Sequence, residues 1–88
     1  MDPYSTSIKT SAEKDLRKIP KEIIPHIFQH IENLAAEPVP HDAYKLASAE
    51  HLYRIRVGDY RVIYQVMHER HEVIIYYIRH RSVAYRGL

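Results

Sequence analysis

Residues 52–66 read Leu-Tyr-Arg-Ile-Arg-Val-Gly-Asp-Tyr-Arg-Val-Ile-Tyr-Gln-Val, two alternating runs on either side of Gly58-Asp59. Alternation with period two marks strands with one buried face, and Gly-Asp favours a two-residue turn, so the stretch predicts a β-hairpin. In that register Val57 faces Tyr60, Arg56 faces Arg61, Ile55 faces Val62, Arg54 faces Ile63 and Tyr53 faces Tyr64. One face then carries Tyr53, Ile55, Val57, Tyr60, Val62, Tyr64 and Val66, and the other Leu52, Arg54, Arg56, Arg61, Ile63 and Gln65. Like charges directly opposite forfeit roughly the 0.2–1 kcal/mol that a good cross-strand pair gains. Arg56 against Arg61, with Arg54 two residues away, is therefore a local liability that a polyanion would turn into binding. The ordinary alternative is that arginines solvate the open face of a one-sided sheet, but such a face mixes Lys, Glu and Thr, and here arginine stands three times.

Outward from the hairpin, Val73 to Ile78 is apolar on both faces, as a covered central strand is. Its register stays open, because the loop His68-Glu69-Arg70-His71 closes with three or four residues and a one-residue change swaps faces. Strands are expected at 52–57, 60–67 and 73–79, with a further short one in the alternating stretch Tyr4 to Lys9. Thr10-Ser11-Ala12-Glu13 matches a capping box and predicts a helix from there to about Ile19. Pro20 then opens a second helix, in which Ile24, Ile27, Phe28, Ile31, Leu34 and Ala35 recur at helical spacing. Pro25 is expected to tilt its start, and Glu37-Pro38-Val39-Pro40 ends it. The expected fold is α+β, with element order β-α-α-β-β-β. A helical hairpin packs on one face of a mostly antiparallel four-stranded sheet, and residues 1–88 form a single domain.

The chain has 88 residues, 45% of them hydrophobic and eight of them tyrosine, enough for one modest core. It has no cysteine, so it asks for neither an oxidising compartment nor a thiolate metal site. The N-terminal MDPYSTSIKT lacks the basic and apolar regions of a signal peptide, and the apolar run VIIYYI at 73–78 is too short to cross a bilayer. A cytoplasmic location and no membrane partner are the expectations. The net charge is only +2, but its distribution is uneven. Acidic Glu13, Asp15, Glu22, Glu32, Glu37 and Asp42 lie in the first half, whereas Leu52 to Leu88 carries Arg54, Arg56, Arg61, Arg70, Arg79, Arg81 and Arg86 against Asp59, Glu69 and Glu72. The last strand runs into Arg79-His80-Arg81-Ser82-Val83-Ala84-Tyr85-Arg86, which delivers more cation, an imidazole and a tyrosine to one end of the sheet.

At these residues the chain resembles the RelE/ParE superfamily of toxins from toxin–antitoxin systems, and its RelE branch in particular. The resemblance rests on the SAEKDLRKIPKEI helices, the EPVP loop with Lys45-Leu46, YRIRVGDYRVIY and the C-terminal HRSVAY. It implies an antiparallel sheet with a helical hairpin on one face and a basic opposite face that cleaves messenger RNA on the ribosome. Carried over by position, Arg54 and Arg56 stand where relatives place two basic side chains. Arg61 falls on the transition-state arginine, Arg81 on the arginine near the leaving group, and Tyr85 on the C-terminal tyrosine. Lys45 and Arg79 join Arg54 and Arg56 as expected RNA-binding residues. The implied chemistry is attack of an RNA 2′-hydroxyl on the adjacent phosphate, giving a 2′,3′-cyclic phosphate and a 5′-hydroxyl with no metal or other cofactor.

Planar guanidinium groups suit the developing charge on that phosphate but not proton transfer, their pKa lying above about 12. With arginine at 56, two candidates for the base remain. Tyr85 matches the family position, and His80 is of the residue type that ordinarily titrates near neutrality. Tyr85 is preferred. The implied partners are a cognate antitoxin, the ribosome and messenger RNA, with DNA reached only through the antitoxin. Because the sequence stops at Leu88, where some relatives continue into a terminal helix, the antitoxin is expected to cover the basic face directly.

Other groupings have plainer readings. His26 and His30 share a zinc-like spacing without a third ligand and read as surface residues. Tyr53, Tyr60 and Tyr64 fall on the helix-facing side and read as core, and Ser48 and Ser82 read as loop residues with no base arranged beside them. Two alternatives to a nuclease remain: a ParE-like inhibitor of DNA gyrase on the same scaffold, and a non-catalytic regulatory partner of an antitoxin. The Arg61, Arg81 and Tyr85 set favours the nuclease.

Overall fold

The computed structural model describes residues 2–47 and 49–87. The reading of Ser48 as a loop residue and the end of the chain at Leu88 lie outside the described residues. Strand β1 (Ser5–Ile8) leads into helix α1 (Thr10–Leu16) and helix α2 (Ile24–Ala36); β2 (Tyr44–Lys45), β3 (Leu52–Val57), β4 (Tyr60–Met67) and β5 (Glu72–His80) follow. The five strands form one sheet in the order β1-β5-β4-β3-β2, with β1 parallel to β5 and the other pairs antiparallel. This is the expected α+β arrangement with one addition. Two residues of the loop after α2 reach back beside β3, pairing Tyr44 with Arg54 and Lys45 with Tyr53, a strand too short to show an alternation in sequence.

The hairpin register is the expected one, from Val57 opposite Tyr60 to Leu52 opposite Gln65, with Gly58 at φ 59° in the turn. Between β4 and β5 the register shifts: Ile63 faces Tyr77, but Tyr64 faces Ile75, leaving Tyr76 as an extra residue. Such a bulge bends the strand and resets its alternation. Val73, Ile75 and Ile78 therefore face the helices, while Tyr77 and Arg79 share the opposite face with Ile63 and Arg61.

The core lies between the helices and one sheet face. Ala12, Ile19, Ile27, Ile31 and Leu34 pack against Ile55, Val57, Val62, Tyr64, Val66, Val73, Ile75 and Ile78. Tyr64 is fully buried and donates its hydroxyl to the Pro38 carbonyl at 2.8 Å. Burial, with smaller contributions from Tyr53 and Asp42, pushes its phenol pKa above the ordinary value. Phe28, expected in the core, is 37% exposed, because the buried stripe is centred on Ile27, Ile31 and Leu34 and Phe28 falls beside it.

The helix starts differ from the sequence expectation. Lys9, in extended conformation, precedes α1, and no side chain caps it. The capping box does not form because the chain is already held there: the Lys9 N–H donates to the Ile75 carbonyl at 2.9 Å, and the first turn closes from Glu13 N–H to the Lys9 carbonyl. Pro20 sits in a turn, accepting from Ile23 N–H, and α2 begins at Ile24 with Pro25 in its first turn, where a missing N–H costs no helical bond. Where β1 stops, α1 continues the edge of β5. Ser11 donates its hydroxyl to the Tyr76 carbonyl, and Asp15 Oδ2 accepts from Ile78 N–H at 2.9 Å. One helical turn thus satisfies the carbonyl of the bulge residue and the N–H of Ile78 two residues on.

Candidate active site

Alternation along β3 and β4 puts Arg54, Arg56 and Arg61 on the face away from the helices, and the bulge brings Arg79 onto the same face. Cross-strand pairing sets Arg56 opposite Arg61 and Arg61 opposite Arg79. Three guanidinium side chains from three adjacent strands therefore form one transverse row, with neighbouring strands about 4.8 Å apart. The repulsion is met by dipoles and rings. Arg61 Nη1 donates to the Gly58 and Tyr60 carbonyls at 3.1 and 3.0 Å. Arg79 Nη1 donates to the Arg86 carbonyl at 2.6 Å and the Ala84 carbonyl at 3.5 Å, and its guanidinium carbon lies 3.9 Å from the Tyr77 ring centroid.

Those bonds hold residues 84–86 against the row. Tyr85, 47% exposed, receives a hydrogen bond from Arg54 Nε–H at 2.9 Å. Ala84 is fully buried, and so is Ile63, although Ile63 belongs to the arginine face. Arg81 stands at the rim. Its backbone N–H donates to the Asp59 carbonyl at 2.7 Å, and its Nε is 3.9 Å from the Asp59 carboxylate, the one ion pair among the described residues. Both side chains of that pair are exposed, so it orients more than it stabilises. Arg61 and Arg81 thus both contact the Gly58-Asp59 turn, one at Gly58 and the other at Asp59.

His80 lies elsewhere. It pairs with Tyr60, its ring packs edge-on to the Tyr60 ring at 5.7 Å, and it lines a cleft with Ile23, His26 and Val57 on the helix side of the sheet. Its Nδ1 accepts the Ser82 amide N–H at 3.2 Å and lies 2.8 Å from Ser82 Oγ. Ser82 therefore does have an imidazole beside it, contrary to the sequence reading, through a tight local turn between residues two apart. Lys45 is exposed and pairs with Tyr53, so alternation assigns it to the helix side. Its neighbour Tyr44 takes the arginine side, 4.8 Å from the Arg54 guanidinium carbon. His30 Nδ1 bonds its own helix at the His26 carbonyl, and no group of three His, Asp or Glu suited to a metal occurs among the described residues.

The structure gathers Arg54, Arg56, Arg61, Arg79 and Tyr85 on one face, sets Arg81 at its rim, and leaves His80 and Lys45 across the sheet. It adds Tyr44 and Tyr77, which sequence periodicity did not reach: one belongs to a two-residue strand, and the other is placed by a bulge. A row of cations beside an exposed phenol has the charge to hold an anion such as a phosphodiester, with a hydroxyl within its reach.

The model of the ParE toxin of type II toxin–antitoxin systems (parDE) matches residues 7–85. The RelE toxin of Mycobacterium tuberculosis is 30% identical over 89 residues, covering 96% of this chain and 88% of its own length. Among solved structures, the archaeal RelE–RelB complex from Pyrococcus horikoshii superposes with a TM-score of 0.80 at 33% identity, over 93% of this chain and 99% of that one. The RelBE2 toxin–antitoxin complex of M. tuberculosis gives 0.78 at 29% identity, over 90% and 99%. The match runs from β1 to Tyr85 and includes every residue of the arginine face, so this chain belongs to the RelE/ParE superfamily, the toxins of type II toxin–antitoxin systems.

Proposed function

We propose that this toxin is an endoribonuclease that cuts messenger RNA on the ribosome and so inhibits translation. The carrying observation is the row Arg56–Arg61–Arg79 with Tyr85 held beside it by Arg54. In this reading the row and Arg54 seat the RNA backbone. Tyr85, acting as its phenolate, takes the proton of a 2′-hydroxyl and becomes the neutral phenol, while the 2′-oxygen attacks the adjacent phosphorus. Arg61 meets the charge that grows on the phosphoryl oxygens. The bond to the 5′-oxygen breaks, and that oxygen, its charge met by Arg81, takes up a proton from solvent. The products are a 2′,3′-cyclic phosphate and a 5′-hydroxyl end, and each guanidinium acts by preorganised charge.

An antitoxin would silence the toxin by laying acidic or apolar segments across the same face. The P. horikoshii and M. tuberculosis relatives, solved as toxin–antitoxin complexes, support such a partner. The test is primer extension on messenger RNA from programmed ribosomes incubated with the purified toxin. Cuts that require the ribosome and leave cyclic phosphate ends are the expected outcome. The ParE name of the matching family favours a second reading, inhibition of DNA gyrase. Uncut message together with blocked supercoiling by purified gyrase would replace the first reading with the second.

A further inference from the structure

β2 is two residues long, and its pairing puts Tyr44 directly opposite Arg54. The Arg54 guanidinium carbon lies 4.8 Å from the Tyr44 ring centroid, and the Arg54 Nε–H donates to the Tyr85 hydroxyl oxygen at 2.9 Å. Three side chains from three distant parts of the chain are joined in series: ring, guanidinium, phenol. Neither end is rigid by itself, since arginine is rich in rotamers and Tyr85 stands in the turns after the last strand. A guanidinium packs on a ring through its face while its N–H edge stays free to donate, so one arginine can be gripped on one side and directional on the other. We propose that Tyr44 is a positioning residue of the nuclease. Its ring holds the Arg54 guanidinium so that Nε–H stays aimed into the Tyr85 hydroxyl oxygen, which presents the phenol to the RNA 2′-hydroxyl.

The inference rests on the nuclease reading and adds a residue that does not touch the reacting atoms. Tyr44 is 59% exposed, so its loss opens no cavity and leaves the core unchanged. The competing role for an exposed ring on a cationic face is to stack a nucleobase directly. The two roles differ in what they require. Arg54 keeps its charge on the RNA-seating face with or without the ring beside it, so the clamp sets the rate through the Tyr85 hydroxyl, whereas stacking acts on RNA whether or not that hydroxyl is present.

The test is single-turnover cleavage on programmed ribosomes by the wild type, Tyr44→Ala, Tyr44→Phe, Tyr85→Phe and the Tyr44→Ala/Tyr85→Phe double variant. Misplacing a reacting group is costly, so Tyr44→Ala should lower the saturating rate constant by roughly tenfold to a hundredfold while the half-saturating ribosome concentration stays unchanged. Tyr44→Phe keeps the ring and should restore the wild-type rate. In the Tyr85→Phe background Tyr44→Ala should have no further effect. An undiminished effect in that background, or a loss confined to the half-saturating concentration, overturns the clamp in favour of stacking.

A second readout needs no RNA. The Arg54 Nε–H resonance should be protected from solvent exchange in the free toxin and lose that protection in Tyr44→Ala. Unchanged protection in Tyr44→Ala also overturns the proposal. A wild-type protein that cuts no message would sink the nuclease reading, while this resonance still decides the clamp.

Discussion

Arg79 stands directly opposite Arg61 across β4 and β5, on the other side of Arg61 from Arg56. The two-residue liability of the hairpin is thereby extended to three like charges in line. Arg56, the exposed member, is the one to remove. Arg56→Gln should raise stability by roughly 0.2–1 kcal/mol, as expected for relief of a like-charge pair, read as a higher thermal midpoint. The same change should slow association with the antitoxin and flatten its salt dependence in stopped-flow measurements. A lower midpoint would mean that the row is not repulsive in the folded protein.

Arg61→Ala and Arg81→Ala should each abolish toxicity with the fold intact. Groups that stabilise transition-state charge are commonly worth about 10²–10³ in rate each. Circular dichroism checks the fold and induction in a host checks toxicity. Full toxicity in both variants counts against the nuclease.

Tyr85→Phe removes only a hydroxyl and should slow cleavage with little loss of ribosome binding. His80→Gln should leave the rate near wild type, because that imidazole lies on the helix side and bonds within its own turn. The opposite ranking in single-turnover cleavage would transfer the role of base to His80.

Asp15→Ala should destabilise the fold by about 1–3 kcal/mol, the usual cost of leaving a shielded donor unpaired, here the Ile78 N–H. Asp15→Asn, which keeps an acceptor oxygen, should cost less. Urea titration of the two variants ranks them, and equal stability would show that water replaces the carboxylate.

Tyr64 sets an alkaline limit. Its folded pKa is raised above the ordinary 10.0, so above that pH the unfolded chain releases a proton that the folded chain keeps. Stability contributed by the neutral phenol is full below about pH 10 and is lost as pH climbs toward the folded value. Urea midpoints should therefore fall between neutral pH and about pH 11, and Tyr64→Phe should flatten that part of the decline. An identical decline in the variant would assign it to other groups.

The hairpin was legible because alternation, a Gly-Asp turn and a buried face agree over fifteen consecutive residues, from Leu52 to Val66. The face carrying Arg54, Arg56 and Arg61 follows from it. Arg79 was known to be basic but not to share that face, since its side depends on one extra residue at Tyr76 and single-residue parity is what a bulge conceals. The side taken by His80 was hidden for the same reason: one position beyond Arg79, it falls on the opposite face. The absent capping box shows local chemistry overridden by a neighbouring strand, with Lys9 already committed to Ile75. Tyr44 gave no signal, because two residues carry no period.

The strand pairing also bears on when the protein becomes dangerous to the cell that makes it. β5 lies between β1 and β4, so the last of the described strands in chain order occupies an interior place in the sheet, and β1 has no ladder until β5 arrives. Pairing across so many residues is slow and cannot begin before β5 has been made. Arg79, Arg81 and Tyr85 come later still. A nascent chain that has not yet reached β5 therefore carries two of the three arginines of the row and no completed sheet, so the arginine face comes together only once β5 has joined it.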